Sequence, residues 1–345
     1  MKKTTFNHLW RNAIDDHVLA LDWSPDGQTL AVASVSGPVT LFHLDGTRRF
    51  TLPAHGFGTM SMRFQPKPDS SLLATSGQDG KVRLWDSSTG EQICEMDGGS
   101  AWVERLDWST DGAYLASCAG RKIRLWNPEG EMLQAYDHPR STVSSLGWRP
   151  KRAGDERPQV LAVTGYGGLN LYTPGESTCI EENPWKGSAL VMAWSPDGRF
   201  IATGDQDSTI HFWFADTGQN LQMWGYPVKV MQLAWDASSR YLATGGSDSV
   251  VVWDCSGKGP EGTKPATLQS HEDLISCLAF QPVGDILASG GRDGNLMLWR
   301  GMKNKKSPLL TAELEEPVSQ ITWSPNGKFL AAGTEAGDVF LFEVK

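Results

Sequence analysis

Short runs of apolar, small and β-branched residues recur along the whole chain, each broken after five or six positions by turn residues. "TLAVAS" (Thr29–Ser34), "LLATSG" (Leu72–Gly77), "YLASCA" (Tyr114–Ala119) and "FLAAGT" (Phe329–Thr334) are the clearest. Stretches such as "KVRLW" and "TIHFW" follow them and end in an aromatic residue. None reaches the ten or more residues of 3.6 periodicity that a helix requires, so the pattern predicts short strands throughout.

The strands come in repeats. An aromatic anchor precedes each turn at Trp23, Phe64, Trp108, Trp148, Trp194, Trp235, Phe280 and Trp323, with spacings of 40 to 46 residues. A second aromatic closes a later strand of each unit, at Phe42, Trp85, Trp126, Tyr172, Trp213, Trp253, Trp299 and Phe342. After the anchor the phrase "WSPDG" stands at Trp23–Gly27 and Trp194–Gly198, with near-copies "WSTDG" at Trp108 and "WSPNG" at Trp323. Proline presets φ for one turn position, Asp favours the next, and Gly takes the left-handed conformation. The phrase therefore reads as a hairpin corner and not as a binding motif.

Units of this length with four strands each, Trp-Asp at the end of a third strand (Trp85-Asp86, Trp253-Asp254) and His-led starts resemble the WD-repeat (WD40) β-propeller family over nearly the whole chain. The resemblance implies an all-β propeller of four-stranded antiparallel blades in a single domain; the counted anchors make it eight-bladed, seven blades, commoner in the family, is the alternative, and the Gly-rich fourth unit is the least regular. Boundaries are expected near 15–54, 55–98, 99–137, 138–184, 185–225, 226–270, 271–313 and 314–345. Eight units supply only seven linking fourth strands, because the last unit ends without one. "TTFNHLWRNAI" (Thr4–Ile14) is thus expected to close the ring against "DVFLFEV" (Asp338–Val344), as the outer strand of the last blade.

Composition narrows the function. Fifteen Trp among 345 residues reflect the repeat, and 37 Gly and 19 Pro fit many turns. A formal charge of −9 argues against nucleic acid and anionic membranes as partners. There is no apolar stretch long enough for a signal peptide or a transmembrane helix. The five cysteines, Cys94, Cys118, Cys179, Cys255 and Cys277, show no CxxC spacing. They read as free thiols in a cytoplasmic protein, with no disulfide, metal or cofactor expected.

Two units place Ser or Thr, His and Asp at matched offsets: His55, Thr75, Asp79 and Trp85, then His271, Ser289, Asp293 and Trp299. Parts recur as Thr203, Asp207, Trp213 and as Thr244, Asp248, Trp253. A catalytic triad would hardly be installed twice and half-installed twice more. In WD-repeat relatives this set is a structural hydrogen-bonded tetrad, and that role is expected here. Nine residues before the anchor, the His position holds Trp185 in the fifth unit, Tyr226 in the sixth and Gly99 in the third; His138 in the fourth falls one place early, and Ile14 and Leu314 replace it in the first and last.

The resemblance implies binding at the face that carries the links before each first strand and the turns after each second strand. Aromatics and Arg suit such a role because they bury large areas at low entropic cost. Trp102, Trp185 and Tyr226 are the candidate anchors, with Phe57, Arg140, Arg292, Gln78 and Gln206 around them. For Trp185 and Tyr226 the alternative is that they fill the space a histidine vacates. Loops at Arg149–Gln159 and Arg300–Leu310 put basic tips (Lys151, Arg152, Lys303, Lys305, Lys306) on the opposite face. Asp22 and Asp107 read as hairpin polarity. The expected function is a non-catalytic scaffold for a protein or peptide partner, acting as a monomeric propeller within a larger complex. The alternatives are a structural subunit, which the resemblance links to GTPase metal chaperones, and a propeller hydrolase.

Overall fold

The computed structural model describes residues 4–100, 102–151 and 154–345. Every regular element among the described residues is a strand, and hydrogen bonding joins neighbours in sequence order except where the first strand meets the last. In the second repeat the order is Thr59–Phe64, Leu72–Gly77, Lys81–Asp86 and Glu91–Asp97. The small, apolar second strands, such as Thr29–Ser34, Leu72–Gly77 and Ile286–Gly291, are buried at every position because each lies between two neighbouring sheets. Outer strands such as Glu91–Asp97 are mostly exposed. The core is accordingly divided into interfaces: Leu84 and Met96 of one repeat pack with Leu106, Trp108 and Leu115 of the next.

The repeated phrase does form the corner. Gly27, Gly112, Gly198 and Gly327 all have φ between 65° and 68°, where a side chain would be strained. The Ser109 hydroxyl donates to Asp111 Oδ1 at 2.6 Å and accepts the Tyr114 N–H at 2.9 Å. Ser195 repeats this with Asp197 and Phe200.

The anchor tryptophans staple one repeat to the one before. Trp148 Nε1 donates to the Asp107 carbonyl at 3.1 Å, Trp194 to Gly147 at 2.9 Å and Trp323 to Ala279 at 3.1 Å. Trp108 and Trp235 do the same to Arg63 and Ala193, each at 3.3 Å. In each case the acceptor is the residue just before the preceding anchor. Asp22 and Asp107, expected to be exposed hairpin polarity, are instead inter-repeat acceptors. Asp22 Oδ2 takes the Phe64 N–H at 2.7 Å and Asp107 Oδ2 takes the Trp148 N–H at 3.0 Å.

Eight separate four-stranded sheets were expected; the described residues form seven, as in the alternative reading. Six sheets have four strands and one has six. The fourth and fifth repeats share the six-stranded sheet, because two long strands, Leu161–Tyr172 and Glu181–Trp194, run through positions that are turns or links elsewhere. Leu161–Gly165 pairs with Val143–Trp148, and Gly168–Leu171 pairs with Glu181–Pro184. The second half of Glu181–Trp194 then pairs with Phe200–Asp205. Tyr166 pairs with Ser188, which locks the two repeats together. The first strands pack side by side in one closed cycle, so eight sequence repeats occupy seven sheets.

The strand Phe6–Ala13 pairs antiparallel with Asp338–Val344 as the outer strand of the last sheet, closing the ring. Arg11 forms a two-pronged contact with Asp338 at 2.9 and 3.1 Å. The Phe6 ring packs on Phe342 with centroids 4.5 Å apart, and Trp10 Nε1 donates to the Leu44 carbonyl of the first repeat at 2.9 Å. All five cysteines are free; Cys118, Cys255 and Cys277 are buried.

Candidate partner-binding face

The two full Ser/Thr-His-Asp-Trp groups form connected chains. His55 Nδ1 lies 2.8 Å from Asp79 Oδ1, His55 Nε2 lies 3.0 Å from Thr75 Oγ1, and Trp85 Nε1 donates to Thr75 Oγ1 at 2.9 Å. Burial lowers the pKa of His55, so its imidazole is neutral. Burial alone would raise Asp79, but hydrogen bonds from Arg83 and His55 outweigh it and hold the carboxyl below its usual range. An ionised carboxylate only accepts and an indole N–H only donates. Arg83 Nη1 also lies 2.6 Å from His55 Nδ1 and donates to Asp79 Oδ2 at 2.7 Å, so imidazole, carboxylate and guanidinium form one cluster, while the Thr75 hydroxyl accepts the Trp85 N–H. In the seventh repeat, His271 lies 3.1 Å from Asp293 and 2.8 Å from Ser289 Oγ, which accepts Trp299 Nε1 at 2.9 Å. Thr75 and Ser289 are fully buried with their hydroxyls committed inside the sheet, so neither hydroxyl meets a substrate.

The other repeats modify this chain. In the sixth, the Tyr226 hydroxyl sits where the imidazole would, 3.1 Å from Thr244 Oγ1 and accepting Trp253 Nε1 at 2.7 Å; Asp248 accepts the Ser249 hydroxyl at 3.0 Å. In the third, Trp126 Nε1 donates to Ser117 at 2.9 Å and the Arg124 guanidinium reaches the Gly98 carbonyl across the vacated place. His138 in the fourth is buried, with Nδ1 on its own link 3.1 Å from the Ser141 carbonyl.

The fifth repeat is rebuilt. Trp213 still reaches Thr203, at 3.4 Å, while Asp207 is exposed and caps Thr209. Asp205 occupies the position held by Gly77 in the second repeat and Gly291 in the seventh, where a side chain would collide with the imidazole of His55 or His271. With an acid there, no histidine fits in the link, and Trp185 takes its place. Trp185 packs on His211 of the third strand, ring centroids 4.0 Å apart. Asp205 and His211 are both buried and 3.4 Å apart, without hydrogen-bond alignment. Burial pushes Asp205 up to about 7 and lowers His211.

Around these buried groups the links and turns present side chains outward. Phe57 is 77% exposed and Trp102 52% exposed. Arg140 and Arg292 are exposed, Gln206 is exposed, and Gln78 is half-buried against Gly58. Trp185 and Tyr226 are half-buried, and the Tyr226 hydroxyl is engaged as described. Arg140 and Trp185 line one groove of about 500 Å³ with Tyr166, Gly167, Pro184 and Lys186; Trp102 and Tyr226 lie outside it. Sequence reasoning missed Tyr166, 56% exposed in the middle of the strand Leu161–Tyr172, and the exposed aliphatics Val228, Met231 and Leu274 on links and turns. The readable signal for Tyr166 was its setting in "TGYGG", where glycines leave one large side chain alone. On the opposite face Lys151, Lys303 and Lys306 are partly or fully exposed, Lys305 turns in to the Arg300 carbonyl, and Arg152 lies outside the described residues.

A ring of small antiparallel sheets, stapled edge to edge and carrying its variable side chains on links and turns, defines a repeat propeller. The WD domain, G-beta repeat model matches residues 8–37, 46–86, 90–127, 185–213, 219–254 and 262–300, and a WD40 domain model of anaphase-promoting complex subunit 4 matches 285–345. The chain belongs to the WD40 repeat family. It is similar to telomerase protein component 1 of Mus musculus, 24% identical over 94% of this chain, and to WD repeat-containing protein 1 of Gallus gallus, 25% identical over 86%. It spans only 10% of the first of these and 55% of the second. The nuclear distribution protein PAC1 of Arthroderma otae is 25% identical over 84% of the chain and 69% of its own length. A crystal structure of the computationally designed Ika8 protein matches in fold, with TM-score 0.80 and 19% identity over 98% of this chain and 99% of that one.

Proposed function

We propose that this chain is a non-catalytic interaction scaffold that holds a protein or peptide partner on the face formed by the links before the first strands and the turns after the second strands. Trp102, Trp185 and Tyr226 are the anchors, with Phe57, Arg140, Arg292, Gln78 and Gln206 around them. One observation carries the reading: successive repeats raise large apolar side chains out of this face, Phe57 and Trp102 most fully, where a solvated rim would hold polar ones. Membership of a family that serves as interaction scaffolds supports it, as does the name of one relative as a component of telomerase.

The face disfavours nucleic acid. Three neighbouring links each expose a pair of acids, Asp15 and Asp16, Glu272 and Asp273, Glu315 and Glu316, which repel phosphate. No helix among the described residues is long and apolar enough to cross a membrane. The test is affinity capture with mass spectrometry, comparing the wild type with a Trp102→Ala, Trp185→Ala, Tyr226→Ala variant of verified fold. Partners held by the wild type and lost by the variant support the site; identical partner lists move it off this face.

A further inference from the structure

The fused fourth and fifth repeats build a groove unlike the rest of the face. Its floor is the extended segment Pro184–Lys186 inside the strand Glu181–Trp194. One wall is Tyr166–Gly167, in the middle of the strand Leu161–Tyr172, and the other is the link carrying Arg140. Among the described residues the other links are loops; here the link is a strand, paired through Gly168 with Pro184 and through Tyr166 with Ser188. A hydrogen-bonded strand loses little further freedom on binding, which is the condition for a preorganised site.

Glycines set the fit. Gly168 has φ of 123°, and a side chain there would come within 2.1 Å of the Asn183 carbonyl oxygen. Gly167 has φ of 102°, and a Cβ on it would lie 2.4 Å from Arg140 Cδ. The bare Gly167 lets the Arg140 stem cross the strand, and the bare Gly168 lets the Asn183–Trp185 backbone come close. The Ser141 hydroxyl then ties the link to this strand by accepting the Tyr166 N–H at 2.8 Å. The Trp185 ring is held from behind by His211.

The charge is the reverse of the chain's own. In a molecule of net charge −9, this groove exposes Arg140 and Lys186 beside apolar walls. The nearest acid, Glu182, lies 4.0 Å from Arg140 Nη2 and half exposed, a weak counter-charge. The acid-paired links of the first, seventh and eighth repeats stand elsewhere on the same face. We infer that the groove takes an acidic peptide segment, one aromatic or aliphatic side chain against Tyr166, Pro184 and Trp185 with flanking carboxylates on Arg140 and Lys186. The acid-paired links steer such a segment toward this groove and repel it elsewhere. This rests on the reading of the face as partner-binding and names the chemistry of one part of it.

The probe is a fluorescein-labelled pentapeptide with a central phenylalanine and two glutamates on each side, followed by fluorescence anisotropy. A peptide with lysines for glutamates and one with alanine for phenylalanine are the controls. Saturable binding of the glutamate peptide is expected, weakened roughly tenfold or more by Arg140→Glu with Lys186→Glu, by high salt and by loss of the phenylalanine. Both substituted residues are exposed, so the variant should keep the wild-type melting temperature. No saturable binding, equal binding by the charge-reversed variant, or preference for the lysine peptide would each overturn the inference. The wider reading is separable: a captured partner lost by the Trp102, Trp185, Tyr226 variant but kept by the charge-reversed one leaves the face intact and removes only the acidic groove.

Discussion

Asp205 and His211 face each other at 3.4 Å beneath the ring of Trp185, both shut off from solvent. The Asp207 charge acts on both members of the pair, and Asn220 Oδ1 is 3.3 Å from His211 Nδ1. Folding raises Asp205 to about 7 by burial, well above the ordinary carboxylate value near ~4.

The folded state therefore keeps a proton on Asp205 that the unfolded chain has already lost. Stability contributed by that proton is present at low pH and falls as pH rises through the window from roughly 4 to 7. His211, lowered by burial, works the other way and costs stability as pH drops below its ordinary value. Asp205→Asn removes the first slope and leaves the second. In urea titrations the variant should gain on the wild type by on the order of 1–3 kcal/mol between about pH 5 and about pH 8. A difference that stays constant across that range would show that Asp205 does not bind its proton more tightly in the fold.

Ring closure makes a separate demand. The strand Phe6–Ala13 completes the last sheet and touches the first repeat through Trp10 and Leu44. Removing residues up to Ala13 exposes the pairing edge of Asp338–Val344 and uncovers Phe342. The melting temperature should fall by on the order of 10 °C, with aggregation on heating. An unchanged transition would mean that the ring holds without this strand.

The second and seventh repeats test the reading of their His-Ser/Thr-Asp groups. Asp293 accepts from His271 and from the backbone N–H groups of Glu272 and Asn295, at 2.9 and 3.0 Å for the latter two. Asp293→Ala leaves three donors unmet and should cost about 2–3 kcal/mol in denaturant unfolding, while partner capture on other repeats persists. A variant as stable as the wild type would deny the group its structural role.

The repeat was legible because its signals are local: an aromatic anchor, a turn phrase and an apolar run recur in register. Closure was legible from counting, since eight units held only seven fourth strands. The fused sheet was not, because turn residues normally mark strand ends, and "GYGG" and "NPWKGS" look like breaks. Gly167 and Gly168 instead take positive φ inside the strand, and pairing continues past them. The rebuilt fifth repeat was half legible. Trp185 in the histidine position could be read, but the reason lies twenty residues away, in Asp205 filling a space that glycine leaves open elsewhere. Tyr226 likewise showed as a substitution, while its hydroxyl bridge from Trp253 to Thr244 depends on a third strand brought alongside by folding.

The anchor staples permit a gain as well as a loss. Trp148→Phe removes the indole N–H that meets the Asp107 carbonyl and should cost about 1 kcal/mol. Two anchors lack that donor, Phe64 and Phe280, and for Phe64 the Asp22 carboxylate supplies a different link through the backbone. Phe280 has no such substitute among the described residues, and it is only half-buried, so a larger ring has room. By the rule the other anchors follow, a tryptophan there would donate to the Ala234 carbonyl. Phe280→Trp should therefore stabilise the chain by roughly 0.5–1 kcal/mol in equilibrium unfolding. If Trp148→Phe is neutral and Phe280→Trp destabilises, the tryptophans are retained for ring packing alone, and the hydrogen-bonded staple contributes nothing to holding neighbouring repeats together.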